Sequence, residues 1–299
     1  MLVMFRLLVL AIICVGFVAC PWSKCVFAQE SSSQASAADG EPAPEAEEKP
    51  QGPLLPKVMG DFRTMKMTRA KARVTDIIDG VTLDIDNKTK VRLSGIWVPW
   101  ENDNEPGDTV RRASVLLRKV SQDRYVRLYQ TKNEKIGRAN RLSQQLAQVE
   151  RDDGLWLQGV LLYAGLATVM TSEANPELSA RMYAIEADAR KRKAGMWADP
   201  RWDILGAGSV KDYVNEYRVV EGNVFSTALR NNIFYINFSR DWKTDFTIAI
   251  PTDKRMSFAR RGVDLMSLNG KRIRVRGWIR NNNGPMIEVT HPEQIEILK

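Results

Sequence analysis

Histidine is almost missing from this 299-residue chain, which holds a single one, His291. Cysteine is nearly as scarce: Cys14, Cys20 and Cys25 all fall in the first 25 residues. The remainder therefore has no disulfide, no thiolate metal site and no cysteine nucleophile. Zinc hydrolysis and serine–histidine catalysis both draw on imidazole, and one histidine near the C-terminus is a poor basis for either. A glycine-rich P-loop signature, paired CxxC motifs and a fixed-period internal repeat are also lacking. The apolar run from Leu7 to Ala19, behind Arg6, is shorter than the roughly 20 residues that cross a bilayer. It has the length of a signal-peptide core.

Two exits follow that run. Cleavage after Val26-Phe27-Ala28 would release an exported protein, periplasmic or extracellular. Phe17-Val18-Ala19-Cys20 instead resembles a lipobox with phenylalanine in place of leucine, and Cys20 would then carry a lipid anchor. Simple cleavage is the expectation, with residues 1–28 as the signal peptide. Residues 29–66 read as a disordered tether, because the Ser, Ala, Glu and Pro of positions 30–56 cannot bury enough surface to offset the entropy of ordering.

The balance of what is present is ordinary for a globular protein: 44% hydrophobic and 27% charged residues, enough for two modest domains. The formal charge of +8 is unevenly spread, since residues 57–299 hold 41 basic against 30 acidic groups. Such an excess favours polyanions through long-range attraction and counterion release, although it also serves solubility alone.

A first domain is expected over residues 67–200. Ala72 to Ile78 reads as a strand, Asp79-Gly80 as a hairpin turn into Thr82–Ile85, and Asp86-Asn87 as a second turn into Lys90–Ile96. Val110, Ala113, Leu116, Leu117 and Val120 stand at helical spacing. Tyr125–Tyr129 is a further strand, and Ala139–Val149 a fifth segment. Leu155–Ala164 and Glu177–Ala194 read as helices, the second capped by Gly195. Gly206 to Ser209 sits in a linker, 201–216, before a strand-rich module, 217–299. In that module Phe234, Ile236 and Phe238 alternate, as do Phe246, Ile248 and Ile250.

The run Val74-Thr75-Asp76-Ile77-Ile78-Asp79-Gly80-Val81-Thr82-Leu83, followed by Val91-Arg92-Leu93-Ser94-Gly95-Ile96-Trp97-Val98-Pro99-Trp100, resembles the front half of a staphylococcal nuclease-like (thermonuclease) domain. Three more pieces resemble the family in its order: Lys135-Ile136-Gly137-Arg138, Asp153-Gly154-Leu155-Trp156-Leu157 with Leu161 to Leu166, and Glu186-Ala187-Asp188-Ala189-Arg190 with Gly195-Met196-Trp197. The resemblance covers about residues 68–200. It implies an α+β fold, a five-stranded barrel of the oligonucleotide-binding (OB) type with packed helices, and it makes a second, all-β, OB-like barrel the expectation for 217–299.

The same resemblance implies a degenerate site. The family pattern reads roughly DGDT, then RLxGIDxPE, with two aspartates as calcium ligands, a glutamate as general base, and two arginines on the phosphate. The arginines match Arg92 and Arg138. The aspartates fall on Val81 and Trp97, and the glutamate on Trp100. Neither valine nor tryptophan can ligate a hard cation or take a proton from water. No metal ligand and no cofactor are therefore expected; calcium returns only if Asp79, Asp84, Glu101, Asp103 or Glu105 substitutes.

In the last module Arg272, Arg274, Arg276, Trp278 and Arg280 alternate with Ile273, Val275 and Ile279. They form either a stacking-plus-phosphate surface for nucleic acid or an ordinary solvated strand face. Three readings stay open: an exported non-catalytic nucleic-acid-binding protein, a calcium-dependent endonuclease with displaced carboxylates, and an envelope protein whose barrels bind protein.

Overall fold

A computed structural model describes residues 56–100, 107–241 and 245–298. The expected signal peptide and most of the expected tether lie outside the described residues. The last part of the tether segment packs: Val58 is buried, and the Phe62 ring stacks on Tyr129 at 4.2 Å.

In the first half, β1 (Lys66–Ile77), β2 (Thr82–Ile85) and β3 (Thr89–Leu93) form a meander, followed by the two-residue β4 (Ile96–Trp97). Then come helix α1 (Asp108–Ser121), β5 (Tyr125–Gln130) and β6 (Gln145–Arg151). Helix α2 (Leu157–Tyr163), the short β7 (Thr168–Val169) and helix α3 (Ser179–Lys191) complete this half. The five long strands close in the order β1-β2-β3-β6-β5, with β3 and β6 parallel and the other pairs antiparallel. Closure is possible because β1 is long and bulged. Its register shifts near Asp76 and near Arg69 bend it, so one strand pairs with β2 at one end and β5 at the other.

Alternation fixes which side chains fill the barrel. Leu83, Ile85, Val91 and Leu93 point inward and are buried, while Asp84, Lys90 and Arg92 point outward. Helix α1 buries Val110, Ala113, Leu117 and Val120 on one stripe, as the spacing requires. Each such side chain removed from water contributes about 1.5–3 kcal/mol. Helix α3 ends earlier than its sequence suggests. Lys193 takes the left-handed conformation (φ 52°), and the backbone N–H of Ala194 bonds to the carbonyl of Ala189 in a Schellman closure. Gly195 serves a close approach of two backbones instead, since a Cβ there would stand 2.3 Å from the carbonyl oxygen of Gly165.

The second half is an eight-stranded sheet whose ladder, unlike that of the first, stays open, so it makes a partly open barrel. β8 (Leu205–Gly206) leads into β9 (Tyr217–Asn223), β10 (Ser226–Arg230), β11 (Ile233–Asn237) and β12 (Thr247–Pro251). A short helix α4 (Arg255–Arg260) precedes β13 (Arg272–Asn281), β14 (Pro285–Glu288) and β15 (Ile295–Ile297). The main path runs β10-β11-β12-β14-β13-β9, again with a parallel pair, β12 with β14, between the meander and the last hairpin. Only Val224 and Phe225 separate β9 from β10, so chain continuity joins the two ends of the sheet. The strand order is that of the first barrel, with α4 where α1 stands. Phe234, Ile236, Phe246, Ile248, Ile250, Ile273, Val275 and Ile279 fill its core.

All described residues belong to one compact unit. Residues 201–216 pack rather than dangle: Leu205 pairs with Val220, Val210 is fully buried, and the Arg218 guanidinium lies 4.4 Å from the Tyr213 ring.

His291 lies in the contact between the halves, its Nε2 2.9 Å from the Thr171 hydroxyl and its Nδ1 3.1 Å from that of Thr290. Burial lowers its pKa from 6.5 to about 4, with the Glu173 charge pulling weakly the other way. The unfolded chain therefore protonates first as the solution is acidified. Stability is complete above about pH 6.5 and falls toward pH 4, by up to about 3 kcal/mol from this residue. Urea unfolding at pH 7 and pH 4.5 should show that loss, and His291→Gln should flatten it.

Candidate functional site

The Asp79-Gly80 turn is held by its own side chain. Asp79 Oδ1 accepts from the Val81 N–H at 2.7 Å, and the Ile78 N–H bonds to the Thr82 carbonyl at 2.9 Å. Gly80 lies so close to α1 that a Cβ would meet the Ala113 Cβ at 3.1 Å. Val81 is buried against the helix layer. Arg92 faces Thr82 across the β2–β3 pair, its Nη1 3.5 Å from Thr82 Oγ1. Asp84 pairs with Asp76 on one side and Lys90 on the other, and its carboxylate lies 3.5 Å from the Thr75 hydroxyl.

Arg138 is turned onto its own loop. Its Nε donates to the Thr131 carbonyl at 3.1 Å, its Nη2 to that of Lys132 at 3.4 Å, and its Nη1 pairs with Glu134 at 3.3 Å. Trp100 is about half exposed, at 48%. Glu101, Asp103 and Glu105 lie outside the described residues. Among the described residues no three His, Cys, Asp or Glu side chains form a group able to hold a metal ion.

Trp97 reaches across to the second barrel. Its ring centroid is 5.2 Å from Tyr217, 5.9 Å from Trp278 and 6.4 Å from Trp202, all in edge-on or tilted contacts. β4 sets this direction by pairing with β7, Trp97 opposite Thr168. Burial pushes the Tyr217 phenol above its usual pKa, and its hydroxyl donates to the Val169 carbonyl at 3.0 Å.

Residues 90–199 match the model of a family described as staphylococcal nuclease homologue. The first barrel is a staphylococcal nuclease-like domain. The match begins inside β3, and the closed ring brings β1 and β2 into the same domain. No curated protein matches the chain. The fit of the nuclease-like domain to calcium is poor on its donors alone. The side chains of Val81 and Trp97 offer no oxygen, and Asp79 has one carboxylate oxygen, Oδ1, engaged by its own turn.

The β13 stripe is divided. Arg276 is 1% exposed and is not on the surface: its Nη1 pairs with Glu186 of α3 at 2.8 Å and its Nη2 with Glu296 at 2.7 Å. Its guanidinium also lies over the Tyr183 ring at 4.2 Å, and burial pushes that phenol up to about 12. Burial by itself would depress the Arg276 guanidinium; Glu186 and the other groups around it raise it instead. Arg274 is held by Glu221 at 2.7 Å and Arg272 by the same carboxylate. Trp278 (43% exposed) and Arg280 remain at the surface, and no ion pair is formed by Arg280 among the described residues.

The partners that divide the stripe come from other strands and from α3. In sequence β13 shows no acidic residue between its arginines, because Glu186, Glu221 and Glu296 arrive only through folding. Glu186 belongs to the Glu186–Arg190 motif, but nothing in that motif names an arginine 90 residues away as its partner.

Proposed function

We propose that the chain is an exported nucleic-acid-binding protein that keeps the nuclease fold without metal-dependent cleavage. Trp97 carries the reading: at the position where the resemblance puts a calcium ligand stands a partly buried ring packed against Trp202, Tyr217 and Trp278. A carboxylate placed there would lose that packing. Nucleic acid as partner rests on the domain's family and on the basic excess of residues 57–299. Arg280 and Trp278 of the expected β13 surface, and Arg92 at the expected phosphate-contact position of the first barrel, are the groups best able to meet a strand. Export rests on the apolar run Leu7–Ala19 and the Val26-Phe27-Ala28 site.

The test is anisotropy of a labelled oligothymidylate over a salt series, with calcium and with chelator. Binding should weaken with salt, and chelator should leave it unchanged. Arg92→Ala and Arg280→Ala should each flatten the log–log slope by about 0.7, whereas Trp278→Ala should weaken binding with little change in slope. No binding at low salt would overturn the proposal.

A further inference from the structure

The outer face of the second barrel carries a groove of about 430 Å³. Its floor is Tyr235, Asn237, Thr247 and Met286, side chains that point away from the core on β11, β12 and β14. Two hairpin turns form its rims. Asn231 and Asn232 close β10 to β11 with positive φ (50° and 59°), and Asn283 and Gly284 close β13 to β14 in the same way (54° and 115°). These left-handed turns are stiff, so the groove is largely pre-formed.

Its chemistry differs from that of the rest of the molecule. Arg230 and Asp245 are the charged residues of the lining and cancel. A polyanion would find no net attraction here, although the chain as a whole is basic. The side-chain amides of Asn231, Asn282 and Asn283 make no hydrogen bonds among the described residues, and each offers two donors and an acceptor. Vicinal hydroxyls, which both donate and accept, match such amides. Tyr235 stands opposite Ala228 on one side and Ala249 on the other. Those neighbours are small, the side chain is partly exposed, and no ring contact to Tyr235 occurs among the described residues. A partly exposed aromatic ring flanked by amides suits the C–H face of a sugar ring. OB barrels take oligosaccharides as well as oligonucleotides on this strand face and these loops.

We propose that this groove binds a neutral oligosaccharide, with a sugar stacked on Tyr235 and its hydroxyls held by the turn asparagines. The groove adjoins the nucleic-acid surface suggested above, since Arg280 pairs with Met286 of the floor, and the variants at Tyr235 and Asn282 tell the two apart. The full chain would be applied to an array of neutral and acidic oligosaccharides, and the strongest hit titrated by calorimetry. The expected result is a neutral glycan whose affinity is the same at low and high salt. Tyr235→Ala should weaken it about tenfold or more, and Asn282→Ala by a smaller factor. Both side chains lie outside the core, so thermal melting should stay near that of the parent. Three results would overturn the proposal: no neutral glycan bound, a bound glycan indifferent to Tyr235→Ala, or an oligothymidylate that displaces the glycan and itself weakens with Tyr235→Ala.

Discussion

Arg276→Ala is expected to lower the melting temperature by on the order of 10 °C, and to do so without touching any surface. Arg276 is 1% exposed and Glu186 0% exposed, 2.8 Å apart, one on β13 and the other on α3. Removing the arginine leaves Glu186 buried with Arg190 (2.7 Å) as its remaining ion-pair partner, beside the Val169 N–H. Breaking one side of such a pair costs about 3–5 kcal/mol, mostly as the penalty on the abandoned charge. For a chain of this size each kcal/mol moves the midpoint by about 2–4 °C. The double variant Glu186→Gln with Arg276→Met should lose less than the sum of its two single variants, because neither member of the 2.8 Å pair is left facing a missing partner, although Arg190 still loses Glu186. Calorimetry of the four proteins decides it. A melting point of Arg276→Ala within a degree or two of the parent would mean that the contact between barrels does not depend on this pair.

The second large effect concerns cleavage. In calcium the purified chain should degrade single-stranded DNA no faster than in chelator. Loss of one proton-transfer or charge-stabilising group commonly costs 10²–10⁴ in rate, and on the reading proposed above Val81, Trp97 and Trp100 stand at three such positions. Putting carboxylates back should not restore activity. Trp100→Glu falls on a half-exposed side chain and should be tolerated, but Trp97→Asp removes the ring that meets Tyr217, Trp278 and Trp202. Losing a packed tryptophan costs about 3–5 kcal/mol. The triple variant Val81→Asp, Trp97→Asp, Trp100→Glu should therefore melt early and gain no calcium-dependent rise in melting temperature. Chelator-sensitive cleavage by the parent, lost in Asp84→Ala, would instead establish a nuclease working through displaced carboxylates.

How far the sequence reached can be seen strand by strand. The alternation of Leu83, Ile85, Val91 and Leu93, and of Ile273, Val275 and Ile279, is a local signal, and the barrels seat those residues in their cores. The Asp79-Gly80 turn was equally legible, since its hydrogen bond joins residues two apart. What could not be read was which outward face remains outward. Arg276 alternates correctly away from the second core and is nevertheless buried, because α3 and β15 supply Glu186 and Glu296. The folded-back Arg138 is similar in kind. Its motif marks the residue, but the carbonyls of Thr131 and Lys132 that take up its donors become visible only in three dimensions.

The contact through Trp97 also governs how this chain can be cut. A fragment ending near Pro200 would present Trp97 to water and leave Glu186 without Arg276. A fragment starting near Tyr217 would present Tyr217 and Trp278 and strand the arginine instead. Each piece would carry an apolar patch beside a charge that has lost one partner, Glu186 keeping Arg190 and Arg276 keeping Glu296, and the newly exposed patch favours association over clean folding. Expressed separately, the two barrels should aggregate when alone and become soluble when mixed, so that fragment complementation, rather than simple dissection, is the way to assign an activity to either one.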